Sequence, residues 1–296
     1  MSIFFGSGVA VCTPFDTTGA FNGATYEKLI AFQVEQGTDA IVSCGTTGES
    51  STLSKEEHLE VVKTAVGAVK KTGKDIPVIA GAGGNNTAEC ISMGQSLSKL
   101  GVSALMYVTP YYNKTSQRGL IEHYKKIASS VELPIMLYNV PVRTGMNMTA
   151  ETLQELSSIE NIVAIKETSS DISQVAEMIE RCGDSIDVYS GNDDQILPFL
   201  SLGGKGVVST LANIIPADIH NIVAKFAEGD LEGSRKLQLK ILPLMRLMFA
   251  DVNPMPIKAA LNLLGYDMGY CRMPLTNVDG TLLYNLKKEM QVYGLI

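Results

Sequence analysis

The sequence of 296 residues has no uninterrupted apolar run long enough to span a bilayer and no cluster of basic residues. The formal net charge is −7, whereas nucleic-acid binding requires clustered lysine and arginine. The N-terminal stretch MSIFFGSGVAVCTPF lacks a basic segment and is interrupted by Gly6, Gly8 and Pro14, which is not typical of a secretory signal. These features argue against nucleic-acid and membrane partners and predict a cytoplasmic protein.

Metal-binding and cofactor-binding patterns are also missing. The five cysteines are scattered without a CxxC pair, which is typical of a reducing compartment, and Cys44 lies in an apolar stretch where we expect a small core residue. The three histidines are far apart and lack the spacing of metal ligands. The glycine-rich piece GAGGNN has Asn86 where a dinucleotide fingerprint needs its third glycine, and no P-loop is present. The sequence therefore predicts neither a metal nor a cofactor.

What the sequence does contain is a repeated alternation of short β-branched runs with amphipathic stretches of helical period. Strand–helix alternation predicts a parallel sheet, and eight units over about 220 residues favour a (β/α)₈ barrel over an open doubly wound sheet. The predicted strands are GVAVCTPF, DAIVSCGTT, PVIAGAG, ALMYVTPYY, PIMLYNV, IVAIKE, DVYSGND and GVVSTLAN.

The alternation stops after the eighth unit. From about Gly229 onward the pattern is helical, as in LEGSRKLQLKILPLMRLMFA, NPMPIKAALNLLG and GTLLYNLKKEMQVYG. We therefore predict an α/β protein with a barrel domain over residues 1–228 and a small helical domain over residues 229–296.

Polar residues follow several predicted strands at the ends where barrels place active sites. Lys166 ends the sixth run, in NIVAIKETSSD. An ammonium in apolar surroundings is costly unless it is paired, reaches water or is neutral, and a neutral lysine is a nucleophile. The alternative is a stem lying along the barrel with its charged end in water.

Side-chain alternation links Lys166 to the neighbouring strand. If Lys166 points into the barrel, Ile162 and Ala164 do so too, and Val163 faces the helices. Tyr138 would then be the inward residue at the same level of the fifth strand. A lysine and a tyrosine placed in this way can share a reacting carbonyl.

Eight motifs in order across nearly the whole chain carry a more specific resemblance. Together they resemble the dihydrodipicolinate synthase (4-hydroxy-tetrahydrodipicolinate synthase) family of the pyruvate-dependent Schiff-base aldolase superfamily. YNVPVRTG points to the synthase, because neuraminate lyases carry a different residue where Arg143 stands. The motifs are CGTTGESSTLSKEEH, VTPYYNK, YNVPVRTG, AIKETSSD, YSGNDD, GGKGVVSTLANIIP, NPMPIKAAL and RMPL.

The resemblance implies a cofactor-free lyase that acts through an imine. Lys166 would attack the ketone of pyruvate, and the resulting enamine would add to L-aspartate 4-semialdehyde, in the first committed step of the diaminopimelate and lysine pathway. Proton transfers would pass from Tyr138 through Thr46 to Tyr112, with Tyr112 reaching over from a neighbouring subunit. A homotetramer built as a dimer of dimers is the expected assembly.

Substrate contacts follow from the same resemblance. Thr47 and nearby backbone N–H groups would hold the carboxylate of pyruvate, with Gly191 and Val208 shaping the pocket. Arg143, whose guanidinium is a planar two-donor fork, suits the carboxylate of the semialdehyde.

A second, allosteric site is implied by those family members that lysine inhibits at a dimer interface. Lys55 differs from the histidine of some sensitive members, and a second cation would disfavour the side chain of lysine, so inhibition and a polar interface without ligand both stay open. The matching positions are Ser51, Lys55, His58, Asn85, Glu89 and Tyr111.

Each assignment also has a structural alternative. Tyr138 could simply fill the barrel, Thr46 and Thr47 could cap the helix that begins near SKEEH, and Arg143 could form a surface salt bridge. For the whole chain, the alternatives are another pyruvate-dependent aldolase, such as N-acetylneuraminate lyase, or a non-catalytic small-molecule sensor on the same barrel.

Overall fold

Eight short parallel strands close into a barrel in chain order, as the sequence predicts. The computed structural model describes residues 2–296. Seven strands lie within their predicted runs, whereas β1 begins two residues before the run GVAVCTPF, and all eight are buried along nearly their whole length. The strands are β1 (Gly6–Ala10), β2 (Ala40–Ser43), β3 (Val78–Gly81), β4 (Ala104–Val108), β5 (Ile135–Asn139), β6 (Ile162–Glu167), β7 (Asp187–Ser190) and β8 (Gly206–Ser209).

Helices surround the barrel and continue beyond it. Within residues 2–296, no helix is both long and apolar enough to cross a membrane. The helices are α1 (Gly23–Glu35), α2 (Lys55–Thr72), α3 (Thr87–Ser98), α4 (Gln117–Ala128), α5 (Pro141–Thr144), α6 (Ala150–Leu156), α7 (Ile172–Cys182), α8 (Ile196–Ser201), α9 (Pro216–Ala227), α10 (Leu231–Lys240), α11 (Leu242–Met248), α12 (Met255–Leu263) and α13 (Gly280–Tyr293).

The apolar side chains form two separate layers. The larger layer lies between the strands and the helices, and the smaller one fills the inside of the barrel. Phe4 lies before β1, at the amino-terminal end of the strands, and its ring stacks on Tyr189 with centroids 4.4 Å apart. The Tyr189 hydroxyl donates a hydrogen bond to the backbone carbonyl of Phe4. This pair closes the floor of the barrel.

The predicted inward and outward faces of β6 are right at one end of the strand and wrong at the other. Ala164 belongs to the inner layer, as predicted, but Ile162 packs in the outer layer and Val163 packs against the inner one. The register between β5 and β6 shifts here, because Ile162 pairs with Ile135 while Ala164 pairs with the next residue, Met136. One extra residue in a strand reverses the side-chain alternation that precedes it.

The C-terminal part is helical, as predicted, and its first helix packs closely on the barrel. Gly229 adopts a left-handed backbone conformation just after α9, and α10 begins at Leu231 and packs on α9. Ser234 donates a hydrogen bond from its side chain to the carbonyl of Ile222 in α9. The division into domains at residue 228 stays a prediction.

Candidate active site

Lys166 and Tyr138 face each other at the carboxyl ends of neighbouring strands. They are direct partners in the register of β5 and β6, which confirms the predicted shared level. The Lys166 Nζ lies 4.5 Å from the centre of the Tyr138 ring, a favourable cation–π geometry. Lys166 is only 6 % exposed, so its amine is placed deep in the barrel mouth and not in bulk water.

An open pocket of about 610 Å³ lies above this pair. It brings together six of the eight residues that the sequence assigns to catalysis and substrate binding, namely Lys166, Tyr138, Thr46, Thr47, Arg143 and Gly191. Val208 does not line the pocket, because it is fully buried in the inner layer of the barrel. Val208 can therefore shape the pocket only through the residues that pack on it.

Thr46 and Thr47 belong to the loop after β2. The interpretation of these residues as the cap of α2 is wrong, because Ser54 is the cap and forms a reciprocal capping box with Glu57. Thr47 is buried, and its Oγ1 accepts a hydrogen bond of 3.0 Å from Asn253 Nδ2. Because the amide donates to Oγ1, the hydroxyl hydrogen of Thr47 can be donated to Thr210 Oγ1, 3.5 Å away, or to a ligand in the pocket.

Arg143 lies at the rim of the pocket. It belongs to α5, a single turn between β5 and α6 that starts with Pro141 and ends at Gly145 in a left-handed conformation. Within residues 2–296, Arg143 forms no salt bridge. Its guanidinium therefore lies beside the pocket at the place where a carboxylate could meet it.

Tyr112 is not part of the same pocket. Its side chain is 91 % exposed, and its backbone has a positive φ of 64°. It lines a second groove of about 750 Å³ that shares Thr46, Val140 and Arg143 with the first pocket. In the part of the chain that the structure describes, Tyr112 and Thr46 form no side-chain hydrogen bond to each other, so the relay through the partner's tyrosine stays a prediction.

The six residues of the predicted lysine site line this second groove together. Asn85 bridges to Tyr111, donating from Nδ2 to its carbonyl and accepting from its N–H, both at 2.7 Å. Lys55 Nζ donates to Ser92 Oγ at 3.1 Å. His58 Nε2 lies 2.8 Å from the carbonyl oxygen of Gly81, and burial lowers the pKa of its imidazole. The groove therefore contains side chains of both charges, Lys55 and Glu89, together with uncharged hydrogen-bonding groups.

Two buried carboxylates behind the strand ends were not assigned from the sequence. Glu167 faces away from the barrel interior and accepts from Asn139 Nδ2 at 2.8 Å, and burial raises the pKa of its carboxyl. Asp193 accepts from the backbone N–H groups of Thr210 and Leu211, and burial raises the pKa of its carboxyl too. Both are in quoted motifs, AIKETSSD and YSGNDD, but only the folded chain brings their partners close.

The pocket also includes residues from the C-terminal helical part, which sequence reasoning missed. Phe249, Asp251, Val252 and Asn253, all between α11 and α12, line its wall. The motif NPMPIKAAL contains Asn253 and would have been the only signal. Across residues 2–296 there is no group of three or more His, Cys, Asp or Glu side chains arranged to hold a metal ion.

These features define a (β/α)₈-barrel protein with a lysine-centred site at the carboxyl ends of its strands. Comparison with known proteins narrows the class. The model of the Dihydrodipicolinate synthetase family matches residues 3–292, and the chain belongs to that family.

Relatives and solved structures agree with this placement. The chain is 50 % identical to the 4-hydroxy-tetrahydrodipicolinate synthase of Lachnoclostridium phytofermentans, with all of both chains covered. It is 40 % identical, with a TM-score of 0.96 and all of both chains covered, to a crystal structure of the enzyme from Cyanidioschyzon merolae with lysine bound. It is 39 % identical to a chloride-inhibited dihydrodipicolinate synthase from Acinetobacter baumannii complexed with pyruvate, with a TM-score of 0.95 and 99 % of both chains covered.

Proposed function

We propose that this chain has 4-hydroxy-tetrahydrodipicolinate synthase activity and condenses pyruvate with L-aspartate 4-semialdehyde through an imine on Lys166. The observation that carries the proposal is the placement of the Lys166 amine and Tyr138 at one level, beneath an open pocket whose wall carries threonine hydroxyls and whose rim carries Arg143. Relatives whose sequences are 49 % and 50 % identical to this chain over almost its whole length are named for this activity.

The chemistry begins with the lysine. Neutral Lys166 attacks the ketone carbon of pyruvate, and loss of water gives an imine. The protonated imine withdraws electrons from the methyl group, so that a proton can leave and an enamine forms. The enamine carbon adds to the aldehyde of the semialdehyde, and the amino group of that substrate then attacks the imine carbon, closes the ring and releases Lys166.

The other residues bind and move protons. Tyr138 is close enough to Lys166 to serve the carbinolamine and imine steps, and its hydroxyl can both donate and accept. Thr47 binds the carboxylate of pyruvate, and Arg143 binds the carboxylate of the second substrate at the rim. No step requires a metal or a cofactor.

Five of the six matching residues in the second groove favour lysine binding, whereas Lys55 opposes it, so a regulatory role depends on Lys55. The relative from Cyanidioschyzon merolae has lysine bound, and the six matching residues of this chain share one groove. Against binding, Lys55 places an ammonium in the wall, where it would repel the ammonium of a lysine side chain. A titration of activity with L-lysine separates the two outcomes. Assembly into a tetramer and a cytoplasmic location stay predictions.

Borohydride trapping tests the proposed function directly. We expect that pyruvate with borohydride adds a reduced pyruvyl group to Lys166, because the reductant converts the imine into a stable secondary amine. Peptide mass mapping identifies the labelled residue. A separate coupled assay compares turnover of pyruvate and the semialdehyde with turnover of N-acetylneuraminate, the substrate of the alternative aldolase. A label at another residue, or no label, would refute the assignment.

A further inference from the structure

Thr47, to which pyruvate binding is assigned, lies in a loop that the barrel strands do not fix by themselves. This loop, Gly45–Glu49, follows β2 and is called here the carboxylate loop. It ends at Glu49, whose backbone is left-handed with φ 53° and whose side chain is almost completely buried. A non-glycine residue in that conformation persists only when surrounding contacts hold it there.

The main contact of Glu49 is an ion pair with the C-terminal helical part. Glu49 Oε1 lies 2.7 Å from the Nζ of Lys258 in α12, and both side chains are 2 % exposed. Both charged groups also have further hydrogen-bond partners. Glu49 Oε2 accepts from the backbone N–H of Arg272 at 2.9 Å, and Lys258 Nζ donates to the carbonyl of Tyr270 at 3.1 Å. Nζ lies 4.2 Å from the ring centre of Phe15 as well.

A second contact from the same segment reaches the threonine itself. Asn253, five residues before Lys258, donates from Nδ2 to Thr47 Oγ1 at 3.0 Å and lines the catalytic pocket. Its Oδ1 is buried and has no hydrogen-bond partner among residues 2–296. Asn253 therefore combines a place in the pocket wall with a direct hydrogen bond to the threonine assigned to the pyruvate carboxylate.

We propose that Lys258 and Asn253 are positioning residues for pyruvate, which hold the carboxylate loop in its binding conformation from the C-terminal helical part. This role rests on the proposed function. Lys258 fixes the end of the loop through Glu49. Asn253 occupies an acceptor site of the Thr47 hydroxyl, whose hydrogen can then turn from Thr210 Oγ1, 3.5 Å away, to the substrate. The C-terminal part is thereby a component of the first substrate site.

A purely structural role for the pair predicts a different result. Removing one member of a buried ion pair leaves an uncompensated charge, whereas replacing both members by neutral groups is often tolerated by the fold. The double variant Glu49→Gln/Lys258→Met therefore keeps a neutral buried contact while it removes the charge-assisted tether. If the pair serves only the fold, this variant should bind pyruvate normally. If the pair positions the loop, pyruvate binding should weaken.

The experiment compares imine formation in folded variants. For Glu49→Gln/Lys258→Met and for Asn253→Ala, we expect the pyruvate concentration for half-maximal borohydride labelling of Lys166 to rise about 10- to 100-fold, because a hydrogen bond to a charged substrate group is weakened. The KM for the semialdehyde should stay within about twofold, because Arg143 and its turn are not changed. Thermal unfolding checks that each variant is folded.

Lys240→Met is the matched control. Lys240 in α10 also pairs with the barrel domain, through Asp218 in α9 at 2.8 Å, but neither residue lines the pocket. The Lys240→Met variant should leave the pyruvate concentration for half-maximal labelling of Lys166 unchanged. Unchanged half-saturation in the folded double variant and in Asn253→Ala overturns the positioning role alone, whereas absence of labelling in the unmodified protein overturns the proposed function and this role with it.

Discussion

Gly191 gives the most direct test of how closely the pocket is built around Lys166. An added Cβ at this position would meet Thr168 Oγ1 and would lie 2.8 Å from Lys166 Cε. Ordinary van der Waals contact begins at about 3.4 Å, so the lysine must retreat by about 0.6 Å or the strand end must shift. A displacement of this size near a reacting atom typically slows a reaction by about 10- to 100-fold.

We therefore expect Gly191→Ala to slow imine formation with pyruvate by about 10- to 100-fold. The crowding should also lower the free energy of unfolding by about 1–3 kcal/mol. The rate of borohydride labelling at a fixed pyruvate concentration measures the first effect, and denaturant unfolding measures the second.

The matched control is Gly84→Ala. Gly84 follows β3 at the same end of the barrel, and an added Cβ there would contact only Cys90 Sγ at 3.7 Å. Its labelling rate should equal that of the unmodified protein. Normal labelling by a folded Gly191→Ala protein would show that the space beside Lys166 is not limiting, and the role of Gly191 in shaping the site would be wrong.

Three further predictions concern individual side chains. Tyr138→Phe should lower turnover by about 10²-fold or more without loss of folding, because the ring stays and the proton-transferring hydroxyl is removed; near-normal turnover contradicts the relay. Arg143→Ala should raise the KM for the semialdehyde by about 30- to 1000-fold and leave pyruvate labelling intact, with Arg143→Lys restoring only part, and equal small effects on both substrates contradict its role. The hydrogen bond from Arg272 lowers the pKa of the Glu57 carboxyl to about 2, so its stabilisation is present above about pH 4.5 and is lost as the pH falls toward 2. Glu57→Gln should therefore reduce the free energy of unfolding by about 1 kcal/mol near neutral pH but not near pH 2, and a constant difference across that range contradicts this.

Local sequence signals predicted the strands and the centre of the site well. Most strands lie in short β-branched runs, and Tyr138 and Lys166 each lie one residue before the end of their strands, so their pairing followed from topology and alternation. The reversal at Ile162 and Val163 could not be predicted in this way, because an extra residue in a strand changes the register without changing the composition.

Contacts between distant parts of the chain also could not be predicted from the sequence. Glu49 and Lys258 are separated by 209 positions, and Asn253 and Thr47 by 206. The motifs that contain them were recognised, but no periodicity within either motif indicates that they meet. The exposed side chain of Tyr112 is a comparable case, because its predicted role requires a second chain.

The closed floor of the barrel determines how reactants can come and go. Because the stacked rings of Phe4 and Tyr189 fill the barrel at the amino-terminal end of the strands, reactants reach Lys166 from the carboxyl ends, where the pocket lies. Lys166 lies at its inner end and Arg143 at the rim. A molecule held at the rim first would block the way to the lysine. Under the proposed chemistry, this placement fits an ordered mechanism, in which the keto acid forms its imine on the deep lysine before the second reactant binds at the rim.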